Sequence, residues 1–141
     1  MCVRVCVCVD DLRAGDDGNV DAVRSWVASG ADINVVNKGG ITPLMWASQG
    51  LHTECVAEML RLGADARRVN NDGRTALHWV AAWADRGDEA GGVVRQLVAA
   101  GCDAAVRDND GRTAVERART RYGGGAERAA VIEGWVAAAM A

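Results

Sequence analysis

Proline and most aromatic residues are scarce in this sequence, which has no phenylalanine, one tyrosine and one proline among 141 residues. Because alanine is abundant and proline is almost absent, the composition favours helices. Half of the residues are hydrophobic and a quarter are charged, which excludes a disordered chain and indicates a globular one. The length suits a single domain with a sizeable core.

Targeting signals and strong charge are also absent. No stretch approaches the roughly 18 apolar residues that a membrane span requires. The start, "MCVRVCVCVDD", is apolar only from Cys2 to Val9 and lacks a cleavage site, so it is not a secretory signal. The five cysteines are odd in number, which favours free thiols and an intracellular protein, cytoplasmic or nuclear. A net charge of -3 is too small to indicate nucleic acid or a membrane as partner.

What the chain does contain is an internal repeat. Three similar segments are "SGADINVVNKGGITPLMWAS" at 29–48, "LGADARRVNNDGRTALHWVA" at 62–81 and "AGCDAAVRDNDGRTAVERAR" at 100–119. Threonine recurs in phase at Thr42, Thr75 and Thr113, at steps of 33 and 38 residues, and the Gly-Ala-Asp or Gly-Cys-Asp triplet keeps the same steps. Two anchors with one offset predict a repeated structural unit.

Each unit has the pattern of a turn, a helix, a loop and a second helix. "NNDG" and "DNDG" are turn sequences, and the threonine after each turn is predicted to cap the first helix. Pro43 follows Thr42 at the first helical position, where the missing N–H costs nothing. Thr113 and Glu116 have the spacing of a capping box.

Apolar residues at helical spacing mark the second helix of each unit. The four stripes are Val20, Val23, Trp26 and Val27; Cys55, Val56, Met59 and Leu60; Val93, Val94, Leu97 and Val98; and Val131, Ile132, Trp135 and Val136. In the last two units the stripe begins five residues later after the threonine than in the second unit. The extra residues fall within 83–92 and 122–128, whose glycines and charges predict loops.

These motifs resemble ankyrin repeats. The family motif Thr-Pro-Leu-His appears as "GGITPLM", "DGRTALH" and "DGRTAVE", with Ala76 and Ala114 in place of proline and Met45 and Glu116 in place of histidine. "GADIN" is similar to the family's hairpin loop and "HTECVAEMLRLGAD" to its second helix. The resemblance covers about four units, at 5–37, 38–70, 71–108 and 109–141, and only the second half of the first unit matches well.

The resemblance implies an all-α solenoid, with stacked helix-loop-helix units joined by β-turn or hairpin loops. In this family the motif histidine hydrogen-bonds the threonine and the hairpin backbone, so His78 is expected to support Thr75 rather than to catalyse. His52 receives the same interpretation. No Gly-x-Ser-x-Gly, activated cysteine or partner at fixed spacing accompanies either histidine, so we predict no enzyme, no catalytic residue and no cofactor.

The cysteine-rich start has the spacing C-x3-C-x-C at Cys2, Cys6 and Cys8. A structural zinc site needs four ligands, usually in two pairs, and no second pair exists, so no metal site is predicted. Its apolar character leaves three alternatives open, since end units normally have polar outer faces. The segment packs on the second unit, or it forms a self-association edge, or the chain is part of a longer array.

The resemblance further implies that a partner protein binds the hairpin tips and the concave face of the first helices. Matching positions are Lys38, Ile41, Trp46, Gln49, Asn71, Arg74, Trp79, Trp83, Asn109, Arg112, Arg117 and Arg121. Tryptophan and arginine are enriched at interface hot spots. The competing interpretation is that Trp46 and Trp79 pack between units.

We therefore predict a non-enzymatic protein–protein interaction module or adaptor. The arginines of the fourth unit suggest a partner with an acidic segment. Nucleic acid is the alternative ligand for those arginines, although the acidic chain weighs against it. An enzyme or a thiol or metal site is the last alternative.

Overall fold

The computed structural model of the protein describes residues 20–30, 32–36, 38–81, 88–120 and 125–140. Within these ranges it contains seven α-helices and no strand. The helices are α1 Val20–Ala28, α2 Pro43–Gln49, α3 Thr53–Arg61, α4 Ala76–Ala81, α5 Asp88–Ala99, α6 Ala114–Thr120 and α7 Gly125–Met140. Cys2, Cys6 and Cys8, for which the sequence predicts no metal site, lie outside the described residues.

The helices form two layers. The first helices stack in the order α2, α4, α6, and the second helices in the order α1, α3, α5, α7. Within the second, third and fourth units the two helices also pack on each other, as α2 on α3, α4 on α5 and α6 on α7. Each unit thus contacts its neighbours along one axis, and the predicted all-α solenoid is confirmed.

The core lies between the layers and follows the predicted stripes. First helices contribute Leu44 and Leu77, and second helices contribute Met59, Leu97 and Ile132, each at most 2 % exposed. Val131 departs from its stripe and is 42 % exposed, because α7 faces the core through Ala129, Ile132 and Val136. The apolar spacing found the core of every described second helix but not this outer position.

The first helices begin at the repeated threonine. The Thr42 hydroxyl accepts a hydrogen bond from the Met45 N–H at 3.3 Å, and Pro43 occupies the first turn of α2. At α6 the Glu116 N–H donates to the Thr113 hydroxyl at 3.2 Å, and the Thr113 N–H donates to the Glu116 carboxylate at 3.0 Å. These bonds satisfy N–H groups that a helix start otherwise leaves open.

The loop prediction for the extra residues is wrong where the structure describes them. Residues 88–92 belong to α5 and residues 125–128 to α7, so the longer units have longer second helices, of 12 and 16 residues against 9 in α3. Gly91 allows close packing with α7, because a Cβ atom at this position would lie 2.8 Å from the Trp135 ring. The glycine in this segment therefore indicated a close contact between two helices and not a loop.

Candidate functional site

The hairpin tips are tied to one another by asparagines. The Asn71 N–H donates to the Gly39 carbonyl at 2.9 Å, and its side-chain amide donates to the Lys38 carbonyl at 2.8 Å. Asn109 repeats the pattern, donating to the carbonyls of Asp72 and Asn71 at 2.9 Å each. The predicted contact residues Asn71 and Asn109 are exposed, but their amide donors already join neighbouring units into a continuous edge.

A buried polar side chain shapes each of these two hairpins. The Asn70 Oδ1 accepts from the N–H groups of Asp72 and Arg74, both at 2.9 Å. Asp108 holds the matching turn, accepting from Asp110 and Arg112 at 3.0 Å. Sequence reasoning did not single out Asn70 or Asp108. Both residues could have been found from the sequence, because each lies five residues before the repeated threonine. Asparagine and aspartate side chains commonly accept hydrogen bonds from the backbone of their own turn.

His78 lies between its own unit and the next. It is 5 % exposed, and its Nδ1 lies 3.1 Å from the Thr75 nitrogen and 3.0 Å from the Thr75 hydroxyl. Its Nε2 lies 3.0 Å from the Arg112 carbonyl. Because a carbonyl only accepts, Nε2 carries the proton, and Nδ1 is free to accept from the Thr75 N–H. Burial lowers the pKa of His78, which favours this neutral form.

Two tryptophans form a pair on neighbouring first helices. The ring centroids of Trp46 on α2 and Trp79 on α4 are 6.4 Å apart, with an angle of 35° between the planes. Both side chains are partly exposed, so they pack between units and also reach the surface. The Nε1 of Trp79 is buried without a hydrogen-bond partner among the described residues. The exposed part of Trp79 is therefore hydrocarbon.

In the fourth unit Arg117 takes the place of these tryptophans. Its guanidinium contacts the carboxylates of Asp108 and Asp110. Asp108 has no exposed side chain, and its Oδ2 also lies 3.8 Å from the Arg74 Nε. Burial acts to raise the pKa of Asp108, but hydrogen bonds from the Arg112 N–H and from Arg117 outweigh it and hold the pKa below its usual value.

The arginines in and next to the fourth unit carry less free positive charge than their number suggests. Arg107 pairs with Glu116 at 3.2 Å and Arg119 with Glu133 at 3.3 Å. Arg112 is exposed, and its guanidinium has a 3.5 Å contact to the Thr120 hydroxyl. The remaining predicted contact residues are the exposed Lys38 and the partly exposed Ile41 and Gln49. Trp83 and Arg121 lie outside the described residues.

A cleft lies on the opposite, second-helix side of the molecule. It has a volume of about 460 Å³ and is lined by Val20, Arg24, Glu54, Ala57, Glu58 and Arg61. Glu58 lies between Arg61 and Arg24, whose hydrogen bonds lower its pKa to about 2. This carboxylate is fully ionised at neutral pH. The described lining residues include neither histidine nor a hydroxyl or thiol nucleophile.

The described thiols are buried. Cys55 and Cys102 are free and buried. Burial raises the pKa of both, to about 11 for Cys55, which disfavours the reactive thiolate. Within the described ranges, no group of three histidine, cysteine or acidic residues is placed to hold a metal ion. No described helix has the length and apolar character to cross a membrane.

Comparison with known proteins places this architecture in a family. A family model of ankyrin repeats, with three copies, matches residues 12–108. This match spans more than half of the 141 residues, so the chain belongs to the ankyrin repeat family. No curated protein matches the chain. The fourth unit follows the matched region, yet α6 and α7 stack on α4 and α5 as the earlier helices do on one another.

Proposed function

We propose that this chain is a non-enzymatic protein-binding module whose contact surface is formed by the hairpin tips and the first helices α2, α4 and α6. Ankyrin repeats generally mediate protein–protein interaction. The observation that carries the assignment to this surface is the partly exposed Trp46–Trp79 pair, because tryptophan is enriched at interfaces and their hot spots.

The chemistry of the surface changes along the stack. Near the second and third units it is aromatic and apolar, with hydrocarbon from Trp79 facing outward. At the fourth unit it is polar, with the exposed Arg112 beside the hairpin and Arg117 held in ion pairs. This pattern suits a partner that places an apolar side chain over the indoles and a carboxylate near Arg112.

The ion pairs of the arginines indicate which class of partner the surface suits. Nucleic-acid binding depends on several free cations that neutralise phosphates. Arg107, Arg117 and Arg119 are each paired with a carboxylate of this chain. The surface therefore supports a protein partner with a short acidic segment better than it supports DNA or RNA. Trp83 and Arg121 remain proposed contact residues on the basis of the repeat pattern.

The test is affinity purification from the native cell followed by binding measurements with the recovered partner. Trp46→Ala and Arg112→Glu are expected to weaken binding by about tenfold or more each, the range of an interface hot spot. The matched controls are Trp26→Ala on α1 and Arg95→Glu on α5, which alter the same residue types in the second-helix layer. Equal effects of the paired variants would show that this surface is not the binding site.

A further inference from the structure

Two joints between units occupy matching positions but differ in charge. The joint between the second and third units, called here the neutral joint, has Ile41, Met45, Asn70 and Trp79 at these positions. The joint between the third and fourth units, called here the charged joint, has Arg74, His78, Asp108 and Arg117. All four positions of the charged joint are ionisable, whereas none of the neutral joint is. The two joints therefore respond differently to pH.

Several side-chain contacts lie at the charged joint, among them the hydrogen bond from the Asn109 amide to the Asn71 carbonyl. The His78 Nε2 donates to the Arg112 carbonyl at 3.0 Å, and Arg74 lies 3.8 Å from the buried Asp108 carboxylate. The Asp108 carboxylate already accepts hydrogen bonds from Arg117 and from two backbone N–H groups of its own hairpin. At the neutral joint the position of His78 is taken by Met45, which is 1 % exposed and cannot titrate.

We propose that protonation of His78 releases the fourth unit from the third, so that the charged joint is a hinge that opens in mild acid, whereas the neutral joint is not. The Nδ1 of His78 is an acceptor for the Thr75 N–H. A proton on Nδ1 removes this acceptor and sets one N–H against another. It also places a buried positive charge beside Arg74 and Arg117, and among the described residues the Asp108 carboxylate offsets this charge in part.

The electrostatic surroundings of His78 support this direction. Burial lowers the pKa of His78 from its ordinary value of 6.5, and the charges of Arg117 and Arg74 lower it further. Asp108 and the bond to the Arg112 carbonyl act in the opposite direction without reversing the shift. A lowered pKa means that docking is fully stable above 6.5 and weakens as pH falls through the lowered value.

The consequence for binding depends on the proposed function, while the hinge itself does not. If a partner spans the Trp46–Trp79 pair and Arg112, separation of the fourth unit divides its contact surface. Acid then weakens partner binding without unfolding the second and third units. A partner that contacts only the tryptophans is insensitive to the hinge.

Hydrogen exchange read by mass spectrometry on the full chain tests the hinge directly. Protection is compared at about pH 7.5 and about pH 5.5, after correction for the intrinsic pH dependence of exchange. We expect α6 and α7 to lose protection, while α2 and α3 keep theirs. Because a pH of about 5.5 lies about one unit below the ordinary pKa of 6.5, the expected loss of protection is at most about tenfold.

Two variants identify the titrating group. His78→Met copies the residue at the neutral joint and is expected to abolish the pH-dependent loss. His52→Gln removes the chain's other histidine and is expected to preserve it. Acid-induced loss that persists in His78→Met, or that spreads equally over α2 and α3, would overturn the hinge, as would unchanged protection of α6 in the wild-type chain. The wild-type comparison decides the question even if His78→Met does not fold.

Discussion

Asp108 shows how much one buried side chain contributes to this structure. It shapes its hairpin, pairs with Arg117 and faces Arg74 at the charged joint. Asp108→Asn keeps the acceptor for the turn, as Asn70 does in the preceding unit, but leaves Arg117 without its buried partner. We expect the free energy of unfolding in urea to fall by about 1–3 kcal/mol, and Asp108→Ala to cost about 3–5 kcal/mol.

The control for this prediction is Asp110→Asn, because Asp110 contacts the same arginine from the surface, with 63 % of its side chain exposed. An exposed ion pair contributes at most about 1 kcal/mol. Similar losses for Asp108→Asn and Asp110→Asn would show that burial of the carboxylate is not what matters.

Glu58 provides a second prediction at the residue scale, in acid. Its pKa falls from 4.5 to about 2 because Arg61 and Arg24 donate hydrogen bonds to it. A lowered carboxyl pKa stabilises the fold above pH 4.5, and this stabilisation is lost as the pH falls from 4.5 towards 2. In Glu58→Gln, acid denaturation curves should lack this component. The exposed Glu54→Gln, also on α3, should leave it intact.

At the scale of the helix, two glycines should respond in opposite directions to the same substitution. Gly91 in α5 has no room for a Cβ because Trp135 lies 2.8 Å from where it would be, whereas nothing lies within 4 Å of that position at Gly134 in α7. Gly91→Ala should destabilise by about 1–3 kcal/mol through overpacking. Gly134→Ala should stabilise by about 0.5–1 kcal/mol through helix propensity. Thermal unfolding measures both, and shifts of the same sign would contradict this packing.

The same helices show what the sequence could and could not predict. The phase of Thr42, Thr75 and Thr113 located the starts of three first helices, because a cap and a turn are local features. The extension of α5 was missed because Gly91, which admits a tryptophan from another helix, resembles a loop glycine. The extension of α7 was missed because glycine and charge are equally typical of loops. The ion pairs of Arg117 were also missed, since its partners are defined only once the hairpin has folded.

For the whole molecule, the stacked architecture predicts that the effect of a destabilising substitution on distant helices depends on which unit carries it. The main helix contacts among the described residues lie within a unit or between neighbouring units, so stability is approximately a sum of unit and joint contributions. Leu97 in α5 is buried in the third unit and Ile132 in α7 is buried in the fourth. Truncation of either to alanine costs about 2–5 kcal/mol, but the consequences for distant helices differ.

Ile132→Ala should reduce the hydrogen-exchange protection of α6 and α7, while α2 and α3 keep theirs. The reason is that the charged joint separates the destabilised fourth unit from the rest of the stack. Leu97→Ala should reduce protection on both sides, since the third unit supports the second and the fourth. The urea transition of Ile132→Ala should therefore broaden into two steps with a smaller apparent m-value. If Ile132→Ala lowered protection uniformly, the four units would unfold as a single cooperative body, and position along the stack would have no effect on how a defect spreads.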